Sequence, residues 1–307
     1  MVKTAIVTGG ATGIGLGIVR HLLKKDWRVI IASSQYKNWE NTSSTLDASR
    51  TTFFQTDVTS WDSNLELFRS AHKWSGGRID LFVANAGISD LDSLMGQTDL
   101  DKDPEQPNMR PTDVNLTSVM WQLKLFIHYS RKTQRDTGTD ESRFNPKMII
   151  TGSLASIYAF APCVQYAASK HGLVGLVRSI GPQLLRTDNI ALNMTCPSFI
   201  PTPLSPKGLK EVWPQHWITK VDIVCRAVDE LSDEKGRVVQ DGKSDGTDGQ
   251  IKAGEVVECA LDNLWYREST QYPDESEKFL IEDANKMDGL WAQALAGKFA
   301  HLVKTGP

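Results

Sequence analysis

Short runs of Val, Ile and Leu alternate with stretches of helical periodicity through the first two thirds of this chain, and no other feature restricts its fold as strongly. Ala5-Ile6-Val7 precedes a helical pattern over residues 19–23; residues 28–32 and Phe53-Phe54 follow, the latter leading to a helical pattern over 65–72. Residues 81–84 lead to 119–129, residues 148–150 to 164–185, and residues 190–193 close the series. The runs are apolar throughout, which marks strands buried on both faces. Strands of that kind joined by helices form a parallel sheet with right-handed crossovers. The expected fold is doubly wound α/β, with about seven strands and helices on both faces.

Three stretches interrupt this rhythm. Residues 89–112 are polar and hold Pro104, Pro107 and Pro111, which predicts a surface excursion after the fourth strand. Residues 131–147 are charged without apolar period and read as a loop; residues 232–254, rich in Asp, Gly and Lys, read as a mobile loop before a last strand near 255–259. From about Glu275, Leu280, Met287, Trp291, Leu295 and Leu302 recur at helical spacing. The expected organisation is one domain over residues 1–270, with a helical extension over 271–307.

Composition then removes several function classes. With 34 basic against 37 acidic side chains in 307 residues, the net charge of -3 offers no general basic field for nucleic acid or membrane. Cys163, Cys196, Cys225 and Cys259 lack metal-ligand spacing and read as reduced thiols, so neither a zinc site nor a disulfide is expected. The chain enters a strand pattern at once and has no apolar run of about 18 residues. A cytoplasmic protein is expected, in which the sequons at Asn41, Asn115 and Asn193 are chance matches.

The chemistry begins directly after the first strand, at Thr8-Gly9-Gly10-Ala11-Thr12-Gly13-Ile14-Gly15. Glycines there let the backbone turn sharply and approach a pyrophosphate, whose charge sits at the positive N-terminus of the following helix. The spacing is TGxxxGxG, not GxGxxG. Further elements follow in order: Asp57-Val58 after the third strand, Asn85-Ala86-Gly87-Ile88 after the fourth, Asn115 in Val114-Asn115-Leu116, Ser153, Tyr166-Ala-Ala-Ser-Lys170, and residues 196–202, CPSFIPT.

In these motifs the chain resembles the short-chain dehydrogenase/reductase family over about residues 1–270, with Ser198 in place of a glycine in the last motif. The segments TGGATGIGL, VNLT, ITGS, YAASKHGLVGLVRS and the late Asn263–Arg267 are most similar to a fungal branch resembling 15-hydroxyprostaglandin dehydrogenase. The resemblance implies a Rossmann fold, catalytic Ser153, Tyr166, Lys170 and Asn115, and a nicotinamide dinucleotide as cofactor. It implies cofactor contacts from Thr8, Gly9, Thr12, Gly13, Ile14 and Gly15 in the turn, and from Ser33, Ser34, Asp57, Val58, Asn85, Ala86 and Gly87 along the next strand ends. Tyr166, Lys170, Pro197, Ile200 and Thr202 complete that set, with Thr202 on the carboxamide and Lys170 on the ribose. Asn115 is expected to hold a water against Lys170. Helices over 114–129 and 164–185 resemble those through which the family forms homodimers or homotetramers.

Each of these residues has an ordinary alternative. Ser153 alone reads as a cap, Asn115 as an N-cap, and a YxxxK pair recurs by chance. His171 faces another side of its helix and reads as structural, and Cys163 as unreactive. Order and spacing together favour catalysis. A free tyrosine with pKa about 10 is a weak base near neutrality. Lys170 shares a helix face with Tyr166, and an ammonium at about 4 Å, at an effective dielectric near 20, contributes about 4 kcal/mol, or about 3 pKa units. Ser153 would hold the substrate oxygen beside the phenol.

Two expectations concern selectivity. The second strand ends Ala32-Ser33-Ser34-Gln35-Tyr36-Lys37, with serine where an acid would repel a 2′-phosphate. NADP(H) is therefore favoured over NAD(H), although no arginine stands at that strand end. A lid over about residues 200–220, with Leu204, Trp213 and Trp217, is expected to face Tyr158 and Phe160 across the substrate beside Ser153. The expected substrate is a hydrophobic small molecule, oxidised or reduced between secondary alcohol and ketone, or at a related C=N group. A non-redox isomerase or cyclase, or a regulatory dinucleotide-binding protein, remains the alternative.

Overall fold

The computed structural model describes residues 2–96, 99–137, 144–286 and 288–298. The chain forms two compact units, Met1–Arg267 and Glu268–Pro307.

The first unit is built on β1 (Thr4–Thr8), α1 (Gly13–Lys24), β2 (Arg28–Ser33), α2 (Tyr36–Ser43), β3 (Thr51–Gln55), α3 (Trp61–Trp74) and β4 (Leu81–Ala84). A short α4 (Arg110–Thr112), a π turn (Asp113–Thr117) and α5 (Ser118–Thr137) run on continuously, followed by β5 (Lys147–Thr151) and α6 (Val164–Asp188). After β6 (Ala191–Pro197) come a short α7 (Leu209–Val212), α8 (Val221–Ser232), β7 (Val256–Ala260) and β8 (Asn263–Tyr266). The eight strands lie in the order β3-β2-β1-β4-β5-β6-β7-β8. All pair in parallel except β8, which returns antiparallel on β7 through a turn at Leu261, φ 51°. The doubly wound expectation holds, with one antiparallel strand beyond the seven parallel ones.

Period-two alternation explains why the strands had to be apolar throughout. Ile6, Ile30, Phe82, Met148 and Ile150 point to one face, against Phe68, Phe126 and Tyr129 from α3 and α5. Their neighbours Val7, Ile31, Val83 and Ile149 point to the other, against Ile18, Val19 and Leu22 of α1 and Val224 and Val228 of α8. Each such side chain contributes about 1.5–3 kcal/mol by leaving water. The strand order reverses between β1 and β4, so a crevice opens at their carboxyl ends, where open α/β sheets bind ligands.

One loop expectation needs correction, and a second holds with internal bonding. Residues 131–137 are not loop but the last turns of α5. They lack apolar period because polar bonds hold them: Lys132 to Asp136 at 2.8 Å, and Thr133 Oγ1 donating to the Gly77 carbonyl at 2.7 Å. Residues 138–143 of that expected loop lie outside the described residues. Residues 233–254 carry no helix or strand but are bonded internally, not merely solvated. The Lys252 ammonium donates to the carbonyls of Gly236, Thr247 and Gln250 at 2.7, 2.5 and 2.6 Å, and Asp248 accepts from the Val238 N–H at 2.7 Å.

In the second unit, α9 (Glu275–Phe279) is capped by Asp274, which accepts from the N–H groups of Ser276 and Glu277. It passes into a π turn (Leu280–Ala284), and α10 (Leu290–Leu295) follows separately. The single amphipathic helix expected there is thus two short ones; Met287 and Leu302 lie outside the described residues. No described helix is long and apolar enough to cross a membrane.

Candidate active site

The crevice is fixed at its base by Thr8. Its hydroxyl accepts from the Asn85 and Ala86 N–H groups at 3.0 and 3.2 Å, and Asn85 Nδ2 donates back to the Thr8 carbonyl at 3.0 Å. These bonds lock the ends of β1 and β4 together. Gly9 and Gly13 have φ of 65° and 53°, a conformation that other residues adopt at a cost. A Cβ on Gly9 would lie 2.9 Å from Asn85 Nδ2, and one on Gly13 would lie 3.2 Å from Thr202 Cβ. Gly15 is closed in further, with a Cβ there 2.4 Å from the Gly9 carbonyl oxygen. Thr12, the N-cap of α1, makes no side-chain capping bond, so the turn presents backbone N–H groups to the crevice.

Three cavities line up along this edge. The middle one, about 280 Å³, is bounded by Gly9, Thr12, Gly13 and Ile14 on one side and by Asn85, Ala86, Gly87, Tyr166, Lys170 and Thr202 on the other. A second, about 220 Å³, lies over the ends of β2 and β3, where Ser33, Ser34, Asp57 and Val58 meet Gln35, Asn38 and Arg110. Thr8 and Gly15 line neither and act from beneath. The two cavities share Gly9, Ala86 and Gly87 as their floor. Glycines that a Cβ would block, at a helix N-terminus, with threonine and lysine at one end and serines at the other, fit an extended dinucleotide.

Asp57 keeps its carboxyl below the usual range chiefly through bonds from the Thr59 hydroxyl and N–H, with the Arg110 charge adding to them. Arg110 had escaped the sequence reading because it comes from the polar excursion, not from the strand end where a basic residue was sought. Its usable signal was its place five residues before Asn115 on the same helical run.

The third cavity, about 470 Å³, is bounded by Phe160, Pro162, Ile200, Leu204, Leu209 and Trp213, with Ser153, Tyr166, Ser89 and Cys163 among its polar members. Pro197 and Ile200, expected on the cofactor, belong to this chamber. Trp213 is wedged against Phe199, ring centroids 4.3 Å apart. Two expected wall residues are elsewhere. Tyr158 is drawn to Glu258 at 3.0 Å and to Arg267 at 3.1 Å, because its phenol finds a charged pair outside the chamber. Trp217 is 57% exposed and packs on His216.

Tyr166 and Leu204 border both the chamber and the middle cavity. Tyr166 sits in the first turn of α6 and lines the chamber together with Ser153. Ser153 itself opens the 3₁₀ turn after β5, its hydroxyl accepting from the Ala155 N–H at 3.2 Å. Lys170, one turn along α6, donates to the Thr151 carbonyl at 2.8 Å and lies 5.6 Å from the Tyr166 ring centre. Burial lowers the Lys170 ammonium to about 8. Burial also pushes the Tyr166 phenol up, against the neighbouring Ser153 hydroxyl, which lowers it. The ammonium is expected to lower the phenol, but in this chain burial is the largest influence on it and raises it.

Asn115 is fully buried on the π turn, where an extra residue per turn redirects its side chain. It donates to the Ile88 carbonyl at 2.9 Å and to Ser169 Oγ at 3.1 Å, and accepts from the Ile88 N–H at 2.9 Å. It therefore braces the Asn85–Ile88 segment against α6. A Cβ on Gly87 would lie 3.2 Å from Asn115 Oδ1 and 3.6 Å from Lys170 Nζ, so the two groups flank that glycine.

Residues 3–212 match the family model for short chain dehydrogenase. The chain belongs to this family. It is 27% identical to the short-chain dehydrogenase/reductase prx6 of Penicillium rubens, over 86% of this chain and 85% of that protein. It is 32% identical to the NADP-dependent dehydrogenase clz5 of Cochliobolus lunatus, over 64% of this chain and 71% of that one. Among solved structures, a 3-ketoacyl-(acyl-carrier-protein) reductase from Brucella melitensis, complexed with NADH, shares the fold with TM-score 0.67 at 17% identity, covering 84% of this chain and 96% of that one.

Proposed function

We propose that this protein is an NADP(H)-dependent oxidoreductase that interconverts a secondary alcohol and a ketone on a hydrophobic small molecule. The observation that carries the reading is the position of Tyr166, bordering both the glycine-floored cavity and the apolar chamber, with Ser153 beside it in the chamber wall. The nicotinamide cofactor, when bound, supplies or takes up the hydride. Gly9, Thr12, Gly13, Ala86, Lys170 and Thr202 would hold its central and nicotinamide parts, and Asp57, Val58 and Arg110 its adenosine end. Ser153 holds the substrate oxygen and Tyr166 passes the proton to it, so that a carbonyl gaining hydride at carbon gains its proton at oxygen. Lys170, lowered to about 8, returns a proton to the phenol near neutral pH. Asn115 keeps the floor and α6 in register.

The NADP(H) preference is supported by Ser33 and Ser34 in the second cavity, where an acid would repel a 2′-phosphate, and by the cationic Arg110, which lines the same cavity. The name of the Cochliobolus relative agrees with it. A hydrophobic substrate is supported by the chamber wall of Phe160, Leu204, Leu209 and Trp213.

The test mixes purified protein with NADPH or NADP⁺ and a panel of ketones and alcohols, following reduced nicotinamide by absorbance. Turnover lost in Tyr166→Phe supports the reading. Product formed with no change in the cofactor, or NADPH consumption undiminished in Tyr166→Phe, refutes it. We further propose a homodimer or homotetramer joined through α5 and α6; a monomeric mass by light scattering counts against it.

A further inference from the structure

The helix that carries Tyr166 starts without a cap of its own. Its N-cap residue, Cys163, makes no side-chain capping bond. Asp90 supplies the missing acceptors from 75 residues upstream: Oδ2 takes the Gln165 N–H at 3.1 Å and Oδ1 takes the N–H of Tyr166 itself at 2.6 Å. Two neighbours support the same junction. Asp92 Oδ1 accepts from Gln165 Nε2 at 2.9 Å, and Ser89 Oγ lies 3.3 Å from Cys163 Sγ. The segment behind Asp90 is equally fixed, since both backbone groups of Ile88 are bonded to Asn115.

A carboxylate accepting N–H bonds at a helix N-terminus sets how the chain enters the helix and offsets its positive end. Here one of the two donors is the backbone of the residue whose phenol borders both cavities. We propose that Asp90 is the positioning residue for Tyr166, tying it to the segment that floors the cofactor cavity. The proposal rests on Tyr166 as the proton carrier. Asp90 reaches no reacting atom and acts through the backbone of Tyr166. The titratable groups near the ring are Lys170 from α6, whose ammonium favours the phenolate, and Cys163 at the head of that helix and Cys196 from β6, which oppose it.

The experiment compares Asp90→Ala and the isosteric Asp90→Asn, each with and without Tyr166→Phe. Near-ultraviolet tyrosinate absorbance, taken as the difference made by Tyr166→Phe, reads the phenol alone. Burial is what raises the phenol, so as the first turn loosens and the ring regains water both variants should shift its titration downward by about one pH unit. Amide exchange over residues 164–170 should quicken about tenfold as the first turn loosens. Exchange that quickens while the titration stays put marks a cap without influence on the phenol and overturns the proposal, as does wild-type behaviour in both readouts. Should the alanine variant not fold, the asparagine variant decides alone. NADPH consumption that persists in Tyr166→Phe refutes the proton-carrier reading instead, and neither Asp90 readout depends on turnover.

Discussion

Lys170 Nζ donates to the main-chain oxygen of Thr151 at 2.8 Å, joining the helix of Tyr166 to the end of the strand that precedes Ser153. The bond fixes where the ammonium stands and leaves its other two N–H groups for the cavity. Lys170→Met should lower kcat by about 10²–10³-fold, with thermal unfolding displaced little, since methionine fills similar volume in a buried site. Activity within a few fold of wild type would remove Lys170 from the chemistry.

The protonation states give direction to the pH profile. Ketone reduction requires the phenol protonated, and burial raises that phenol, so reduction should hold through neutrality. Above about 8 the Lys170 ammonium deprotonates and the rate should fall. Alcohol oxidation, which needs the phenol to accept a proton, should rise with pH over the same interval. Initial rates in both directions between neutral and alkaline pH check this; a reduction rate that climbs with pH contradicts the assignment.

Cofactor choice should turn on two residues. Ser33→Asp places a carboxylate beside a 2′-phosphate and should weaken NADP⁺ binding at least about tenfold, with NAD⁺ little affected or improved. Arg110→Ala should weaken NADP⁺ by about tenfold and NAD⁺ by less. Fluorescence titration of both nucleotides decides it, and equal losses for the two would assign Arg110 to the shared adenine portion.

The two tryptophans should separate cleanly. Trp213→Ala opens the chamber wall and should raise KM for a bulky apolar substrate about tenfold or more. Trp217→Ala, at an exposed position beside His216, should leave KM within about twofold. Reversal of the two effects would mean that the lid closes differently on substrate.

The sheet was legible because strands buried on both faces leave a continuous apolar run, and the crevice because the glycine turn and the Asn85–Gly87 segment directly follow β1 and β4. Tyr158 was misread for a physical reason: its position faced the chamber in sequence, but the Glu258–Arg267 pair draws its hydroxyl away. Asp90 and Arg110 were missed because both come from a proline-rich excursion without periodicity, where function is set only by where the chain returns. The end of α5 was missed because its last turns are held by ion pairs and carbonyl contacts, which leave no hydrophobic stripe.

The ammonium of Lys252 stands in a shell of three carbonyl oxygens of the kind that in other loops surrounds a monovalent ion. Because this cation is covalently attached, it cannot be diluted, exchanged or chelated. A loop organised by a free ion depends on the salt around it; this one depends on a proton. Burial lowers the Lys252 ammonium, so alkali milder than a free lysine would need, not ionic composition, is the condition that would release residues 233–254 from their shape.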